Sequence, residues 1–170
     1  QLKRISLHHN VWARNNERQI RMRHHNELID FVNNVVYGWG WHEGGAAGLS
    51  IDANSGVSNS EYPTINIVGN YYHYVSGLQG NQEDAIDRAI DGKIYFADNV
   101  FPDGETDDYS TSTRHVIPEF AQVTTYPANT LGDRVVPCAG TVYSTSDEET
   151  LLREISVAIG GGGGACDMGV

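Results

Sequence analysis

A strand-like pattern of apolar and polar positions occurs four times within residues 5–101. Each copy has eight positions, with Ile first, a large apolar residue third, Asn sixth, and two β-branched or aromatic residues last. The copies are ISLHHNVW at 5–12, IDFVNNVV at 29–36, INIVGNYY at 65–72 and IYFADNVF at 94–101. Because side chains alternate along a strand, the first and third positions share one face. The pattern predicts a strand, a turn at Asn and a second short strand in every copy.

The recurring Asn predicts a ladder of stacked side chains. Asn10, Asn34, Asn70 and Asn99 follow one another at intervals of 24, 36 and 29 residues. We interpret the shortest interval as one bare repeat and the excess in the other two as inserted loops. Stacked amides can bond one another and the turn backbone. Four unrelated turns would also favour Asn, but the fixed register of Ile and the third position favours a ladder.

A third strand is predicted between the first two copies. In Arg18–Arg23, Ile20 and Met22 fall on one face, and the other face carries Gln19, Arg21 and Arg23. Three short strands per repeat are the geometry of a parallel β-helix, in which each repeat buries its apolar face on its neighbours. The predicted fold class is therefore all-β, a single-stranded parallel β-helix of about four coils.

The pattern ends at residue 101, and the remainder predicts one amphipathic helix. Ser146 and Glu149 have the spacing of a capping box. Five apolar residues of Ser146–Ile159 fall on one face, and Gly160 ends the helix. We expect the helix to cover an open end or a side of the coils. The predicted organisation is one domain, with coils in residues 1–101 and a segment packed on them in residues 102–170.

The net charge of −11 is unevenly distributed. Residues 1–25 hold six Lys or Arg and one Glu, whereas the rest holds five basic and twenty-one acidic residues. An acidic body with one basic patch argues against general nucleic-acid binding and favours an anionic ligand at that patch. For Arg4 and Arg14 we favour pairing with acids instead. No apolar run is long enough to span a membrane.

Other candidate side chains leave simpler roles open. Cys138 and Cys166 could form a disulfide that ties down the tail of a secreted protein, or stay as two thiols. His9 shares the predicted inner side with Ile5 and Leu7, whereas His8 points outward. Since adjacent strand residues face opposite ways, this argues against a metal site shared by the two rings.

Asp30 and Asp52 lie on predicted strands. Neither joins an acidic cluster in the sequence. We therefore expect both to be ordinary solvent-facing residues and assign no metal ligand in the chain.

The stretch from HHN to NNVVYGW resembles pectate lyases of polysaccharide lyase family 1. ISLHHN, ERQIRMR and VNNVVYGWG are similar to that family's HHN, Arg-x-Pro-x-x-Arg and NN-turn block. VVPCAG followed by SDEETLLREI resembles its C-terminal segment. The resemblance implies a right-handed parallel β-helix, a secreted monomer, and the C-terminal portion of a longer enzyme, with further coils upstream of Gln1.

The resemblance also implies a reaction, β-elimination on polygalacturonate, the acidic plant cell-wall polysaccharide called pectate. Arg18 matches the family's catalytic base and Arg23 its substrate contact, and Arg21 is a second substrate-binding candidate. Calcium is the implied cofactor, with ligands expected upstream of Gln1. Ile20 stands where the family has Pro, a residue that would fix the backbone near Arg18.

Three functions follow as alternatives. The first is a pectate lyase, of which these residues alone would be inactive because half of the expected cleft is absent. The second is a non-catalytic β-helix module that binds acidic polysaccharide. The third is a structural solenoid without a ligand.

Overall fold

The computed structural model describes residues 4–15, 20–23, 28–39, 47–52, 63–75, 85–88, 93–101, 114–116, 122–139 and 146–162. Its strands are β1 Arg4–His8, β2 Val11–Ala13, β3 Ile20–Arg23, β4 Leu28–Val32, β5 Val35–Tyr37, β6 Leu49–Asp52, β7 Thr64–Val68, β8 Tyr71–His73, β9 Ile86–Arg88 and β10 Lys93–Ala97. Its helices are α1 Leu131–Arg134, α2 Ser146–Ala158, and the 3-10 helices Ala128–Thr130 and Val136–Cys138. No helix within these ranges has both the length and the apolar character needed to cross a membrane.

The strands form three parallel sheets, and each sheet takes every third strand along the chain. The first sheet has the order β1–β4–β7–β10, the second β2–β5–β8 and the third β3–β6–β9. The register aligns equivalent positions of the repeated pattern, so that the first-position residues pair as Ile5, Ile29, Ile65 and Ile94. The repeat in sequence is therefore a repeat in space. The described chain is mostly β with parallel sheets, which is compatible with the predicted parallel β-helix.

The inner faces of all three sheets build one apolar core. The first, third and eighth positions of the pattern contribute to it, and Phe31, Ile65 and Ile67 have no exposed surface. The third sheet adds the alternating residues predicted for its first strand, Ile20 and Met22, together with Leu49, Ile51 and Ile86. Since burying one such side chain contributes about 1.5–3 kcal/mol, the stacked rows are the main favourable term in folding.

The turn between the first two strands of each repeat is made at the fifth position. The residues there have positive φ, with 56° at His9, 51° at Asn33, 64° at Gly69 and 57° at Asp98. These are the residue types that populate the left-handed region most readily. A left-handed residue interrupts strand alternation, so the predicted inner position of His9 is wrong. Its ring lies instead against Tyr126 of the C-terminal segment, with centroids 5.4 Å apart.

The predicted Asn ladder is confirmed. Asn10, Asn34 and Asn70 each donate a side-chain N–H to Oδ1 of the next Asn, over 2.9, 3.1 and 2.9 Å. Their backbone N–H groups donate to the same oxygens over 3.1, 2.8 and 2.9 Å. The amides of the second, third and fourth rungs also donate to a carbonyl of the preceding repeat, those of Leu7, Phe31 and Ile67. Each inner rung thus bonds to the repeats on both sides.

The C-terminal helices cover the outer face of the second sheet. Val35 and Tyr37 of β5 pack there against apolar residues of both α-helices, including Leu131, Ile155 and Ile159. The Arg14 guanidinium donates to both Glu154 carboxylate oxygens over 2.7 and 2.8 Å, which confirms the predicted pairing of Arg14 with an acid. The Tyr37 hydroxyl donates to Glu154 over 2.9 Å. Burial and this carboxylate raise the pKa of Tyr37 to about 12.

Two Asn side chains outside the ladder hold later parts of the chain by their backbone. Asn33 accepts from the Tyr126 N–H at 2.6 Å and donates to the Tyr126 carbonyl at 2.7 Å. In the same way, Asn66 accepts from the His115 N–H at 2.9 Å and donates to the His115 carbonyl at 3.2 Å. Because backbone groups of the later segment are thereby satisfied, it can lie on the sheets without forming a strand. Whether residues 1–101 and 102–170 form one domain stays a prediction.

Of the two alternatives for the cysteines, the structure selects the disulfide. Cys138, at the end of the second 3-10 helix, is disulfide-bonded. The only other cysteine in the sequence is Cys166, which lies outside the described residues.

Removing one inner rung of the ladder should destabilise the protein strongly. In Asn34→Ala, two donors of Asn10, the Leu7 carbonyl and Asn70 Oδ1 lose a partner. We expect the free energy of unfolding, measured by urea denaturation, to fall by about 2–4 kcal/mol. Asn10→Ala is the matched control: its site is only half-buried, so water can replace lost partners and the fall should be about 1 kcal/mol. Equal losses would contradict the role given to burial.

Two glycines with positive φ should respond differently to alanine. A Cβ on Gly69 would lie 2.6 Å from Asn33 Nδ2 and 3.0 Å from the Tyr126 carbonyl, whereas one on Gly160 would meet nothing within 4 Å. Gly160→Ala should cost only the left-handed backbone penalty, about 1–2 kcal/mol. Gly69→Ala should cost about 2–4 kcal/mol, because it also displaces the bonds of Asn33. Thermal unfolding of both variants, side by side, measures the difference.

Candidate functional site

The predicted basic site centres on β3, the first strand of the third sheet. This strand pairs in parallel with β6, which pairs in turn with β9. Arg21 is exposed, and its neighbour Met22 is buried in the core with 3 % exposure. The alternation predicted for this stretch therefore puts the Arg21 guanidinium on the outer face of the sheet.

The structure brings two of the three predicted site residues onto this strand. Arg18 lies outside the described residues, so its assignment as catalytic base stays a prediction. Arg23 ends β3, and its backbone is in register with Asp52 of β6. Arg21 is in register with Ser50 of β6, which is 1 % exposed.

The third strand of this sheet extends the Arg21 row. Ser50 is in register with Asp87 of β9, so a basic, a hydroxyl and an acidic position follow one another across the sheet. Neighbouring strands lie about 4.8 Å apart. Of this row, Arg21 is exposed and Ser50 is buried, so Arg21 supplies the charge that the described residues present on this face.

Ile20 is a regular strand residue. It begins β3 in register with Leu49 and packs against the apolar core. A Pro at this position would fix φ and remove the backbone N–H. In this chain, the direction of β3 is set by parallel pairing and by burial of Ile20 instead.

A second polar cluster lies on the outer face of the first sheet. Its centre, Asp30 of β4, is 2 % exposed, so the prediction that Asp30 faces solvent is wrong. Asn66 donates to Asp30 Oδ1 over 3.2 Å, and an Arg114 guanidinium nitrogen lies 3.6 Å from the same oxygen. Oδ2 has no hydrogen-bond partner among the residues that the structure describes.

Residues 114–116, which we call the covering segment, lie over Asp30. Their position explains why the sequence pattern missed this cluster. Residues 114–116 come from a distant part of the chain and bond to Asn66 through His115. Burial raises the pKa of the Asp30 carboxyl, and the Asn66 hydrogen bond and the charges of Arg114 and His8 oppose this only in part. The sequence gives only a weak signal for this burial, because the second position of the repeat faces outward and is usually exposed to solvent.

A cavity of about 320 Å³ adjoins the covering segment. Its described lining residues are Arg114, His115, Val116, Gln122 and Val123. His115 is fixed in this wall, because its Nε2 lies 2.8 Å from the Lys93 carbonyl oxygen. The described lining residues lie in the C-terminal part of the chain that bonds to the first sheet through Asn66, whereas the exposed Arg21 lies on the third sheet.

Metal ligands are not clustered in the described ranges. They contain no group of three or more His, Cys, Asp or Glu side chains that could hold an ion. The described residues therefore do not fit a calcium site, and the expectation of ligands upstream of Gln1 stays a prediction.

Comparison with known proteins adds no relative. No protein-family model, curated protein or solved structure matches the chain. The resemblance to pectate lyases therefore depends on the quoted motifs alone.

The raised pKa of Asp30 predicts a specific pH dependence of stability. The unfolded carboxyl has a pKa of about 3.9, so the stabilising contribution of protonated Asp30 is fully present below about pH 4. It is lost as the pH rises through the higher folded-state pKa. Asp30→Asn cannot ionise, so the stability of the wild type relative to this variant should fall as the pH rises above about 4. Urea denaturation across that range measures it, and parallel curves would contradict the buried-carboxyl assignment.

Proposed function

We propose that this protein is a pectate lyase-like polysaccharide lyase that cleaves polygalacturonate by calcium-assisted β-elimination. The observation that carries the proposal is the exposed Arg21 on a parallel β-strand, in a basic motif that also contains Arg18 and Arg23. The motif lies between two copies of the repeated pattern, as it does in the family that the sequence resembles. An exposed guanidinium of this kind suits a polymer that carries one carboxylate per sugar.

We also propose that the three sheets are the faces of a right-handed parallel β-helix. Two observations support this fold: each sheet takes every third strand, and the Asn ladder joins equivalent turns in all four repeats. In such a fold a linear polymer can lie along one outer face and contact successive repeats.

The proposed chemistry removes the proton on C5 of a uronate, which is acidic because it is alpha to the carboxylate. Arg18 takes that proton, the electron pair forms the C4–C5 double bond, and the glycosidic oxygen leaves C4 and is protonated by water. Arg is ordinarily too basic for this role, with a pKa above about 12. Neighbouring cations lower such a pKa, and Arg21 and Arg23 supply positive charge close by in sequence. They would also bind the substrate carboxylates.

The proposal implies a secreted monomer that acts on an acidic plant cell-wall polysaccharide. Disulfide-bonded Cys138 supports an oxidising compartment. Calcium, when bound, would neutralise a uronate carboxylate, although the described residues do not fit its site.

A non-catalytic module that binds acidic polysaccharide is the second candidate. The observation that favours it is Ile20, which forms a regular strand where the family has Pro. In that case Arg21 and Arg23 would hold uronates and Arg18 would be one more binding cation.

The decisive assay measures unsaturated uronides by their ultraviolet absorbance, on protein that includes any sequence preceding Gln1. Polygalacturonate should be cleaved with calcium and left intact with a chelator. Arg18→Lys should lower kcat by about 10²–10⁴-fold with little change in KM, since it replaces the planar guanidine base by an amine that lies in a different position. Arg21→Ala should mainly raise KM. The matched control is Arg4→Ala, which removes an exposed cation from the first sheet and should leave both constants unchanged.

The outcomes separate the two candidates. Retention on a polygalacturonate column without any product would select the binding module. An Arg18→Lys variant with unchanged kcat would eliminate Arg18 as the base. If the protein forms no product and is not retained on the column, both candidates are contradicted.

A further inference from the structure

The rings of His8 and His9 lie together at the first turn. His8 ends β1, and His9 has a φ of 56°. Adjacent residues of a regular strand would point to opposite faces, but the left-handed conformation brings the second ring beside the first. The two Nδ1 atoms are 2.9 Å apart, and the ring planes are inclined by 84°. The sequence-based argument against a shared metal site therefore does not hold.

We propose that His8 and His9 form a binding site for divalent copper, which they take through both Nδ1 atoms. The 2.9 Å separation is that of the two hydrogen-bonded nitrogens, and metal–nitrogen bonds of about 2.0–2.1 Å would span the same separation at an angle of about 90° at the metal. Tetrahedral coordination would separate them by about 3.3–3.4 Å. A right angle is typical of square-planar or tetragonal Cu(II) and Ni(II). Since Cu(II) is the divalent first-row ion that such ligands bind most tightly, the geometry points to copper over zinc.

The pair is held in place by contacts that do not involve either Nδ1 atom. The His8 carbonyl accepts from the Asn10 side chain over 3.0 Å, and the His9 N–H donates to the Val32 carbonyl over 3.2 Å. The His9 ring also packs edge-on against Tyr126. Because these contacts fix the turn before a metal arrives, binding loses little conformational freedom.

Access to solvent selects the same atoms. The His8 side chain is exposed, so an ion that keeps water in its other positions can reach the pair. His9 Nε2 is buried, which leaves Nδ1 as the nitrogen that His9 can offer. The proposed site therefore has two protein ligands, and water occupies the remaining coordination positions of the metal.

Metal binding replaces a hydrogen bond between the two rings. Without metal, one Nδ1–H donates to the other Nδ1. Copper needs both lone pairs, so the donor ring moves its proton from Nδ1 to Nε2 by exchange with water. Both rings stay neutral imidazoles, and no proton is gained or lost overall. Exposed His8 can make this exchange directly.

The test is calorimetric titration of the purified chain with Cu(II), together with electron paramagnetic resonance. We expect one copper ion per chain with hyperfine splitting from two imidazole nitrogens. His8→Asn and His9→Asn should each weaken binding at least about ten-fold. Asn suits the left-handed position of His9, and circular dichroism of each variant checks that the fold is kept.

The chain supplies a matched control. Its sequence has a second HHN, His24, His25 and Asn26, which lies outside the described residues. The double variant His24→Asn with His25→Asn should bind copper as the wild type does. Loss of binding in this control, or unchanged binding in the His8 and His9 variants, would overturn the proposal. Zinc binding as tight as copper binding would overturn the geometric argument.

Discussion

The ladder of buried Asn side chains is the constraint on which the rest of the structure depends. Each inner rung must satisfy its amide without water, and it does so only by bonding to the repeats before and after it. A strand shifted by one residue would break these bonds and turn its Ile row out of the core. The ladder therefore fixes the register of the first two sheets. The positions of the outer residues of these two sheets, including Asp30 and the His8–His9 pair, follow from that register.

The outer faces of the sheets have different roles. Within the described ranges, C-terminal residues contact the first sheet through Asn66 and Asp30, and the second through Asn33, β5 and the Arg14–Glu154 pair. These contacts use polar side chains as fixed attachment points for a segment that lacks strands. The third sheet carries the exposed Arg21 on its first strand.

Much of the fold could be predicted from the sequence because its signals are local and periodic. The first strand of every copy, the second strand of the first three copies, the ladder, the inward faces of Ile20 and Met22, and a helix beginning at Ser146 all come from alternation, spacing or capping, whereas β9 had no such signal. Burial of Asp30 could not be predicted, since the residues that cover it are distant in sequence. The orientation of His9 was missed although its signal was present: His, Asn, Gly and Asp at one repeated position all tolerate a left-handed turn. The roles of Arg18, Arg21 and Arg23 stay predictions, because reactivity depends on partners that periodicity does not specify.

Successive rungs of the ladder are 24, 36 and 29 residues apart in sequence. The hydrogen bonds between their side-chain amides nevertheless all measure 2.9–3.1 Å. Chain length between rungs is thus decoupled from the geometry of the stack. By loop-closure entropy, the twelve additional residues of the longest interval cost only about 0.4 kcal/mol. Evolution can therefore lengthen or exchange the connecting loops while the scaffold stays intact. The same property makes these intervals suitable acceptors for grafted recognition loops in protein engineering.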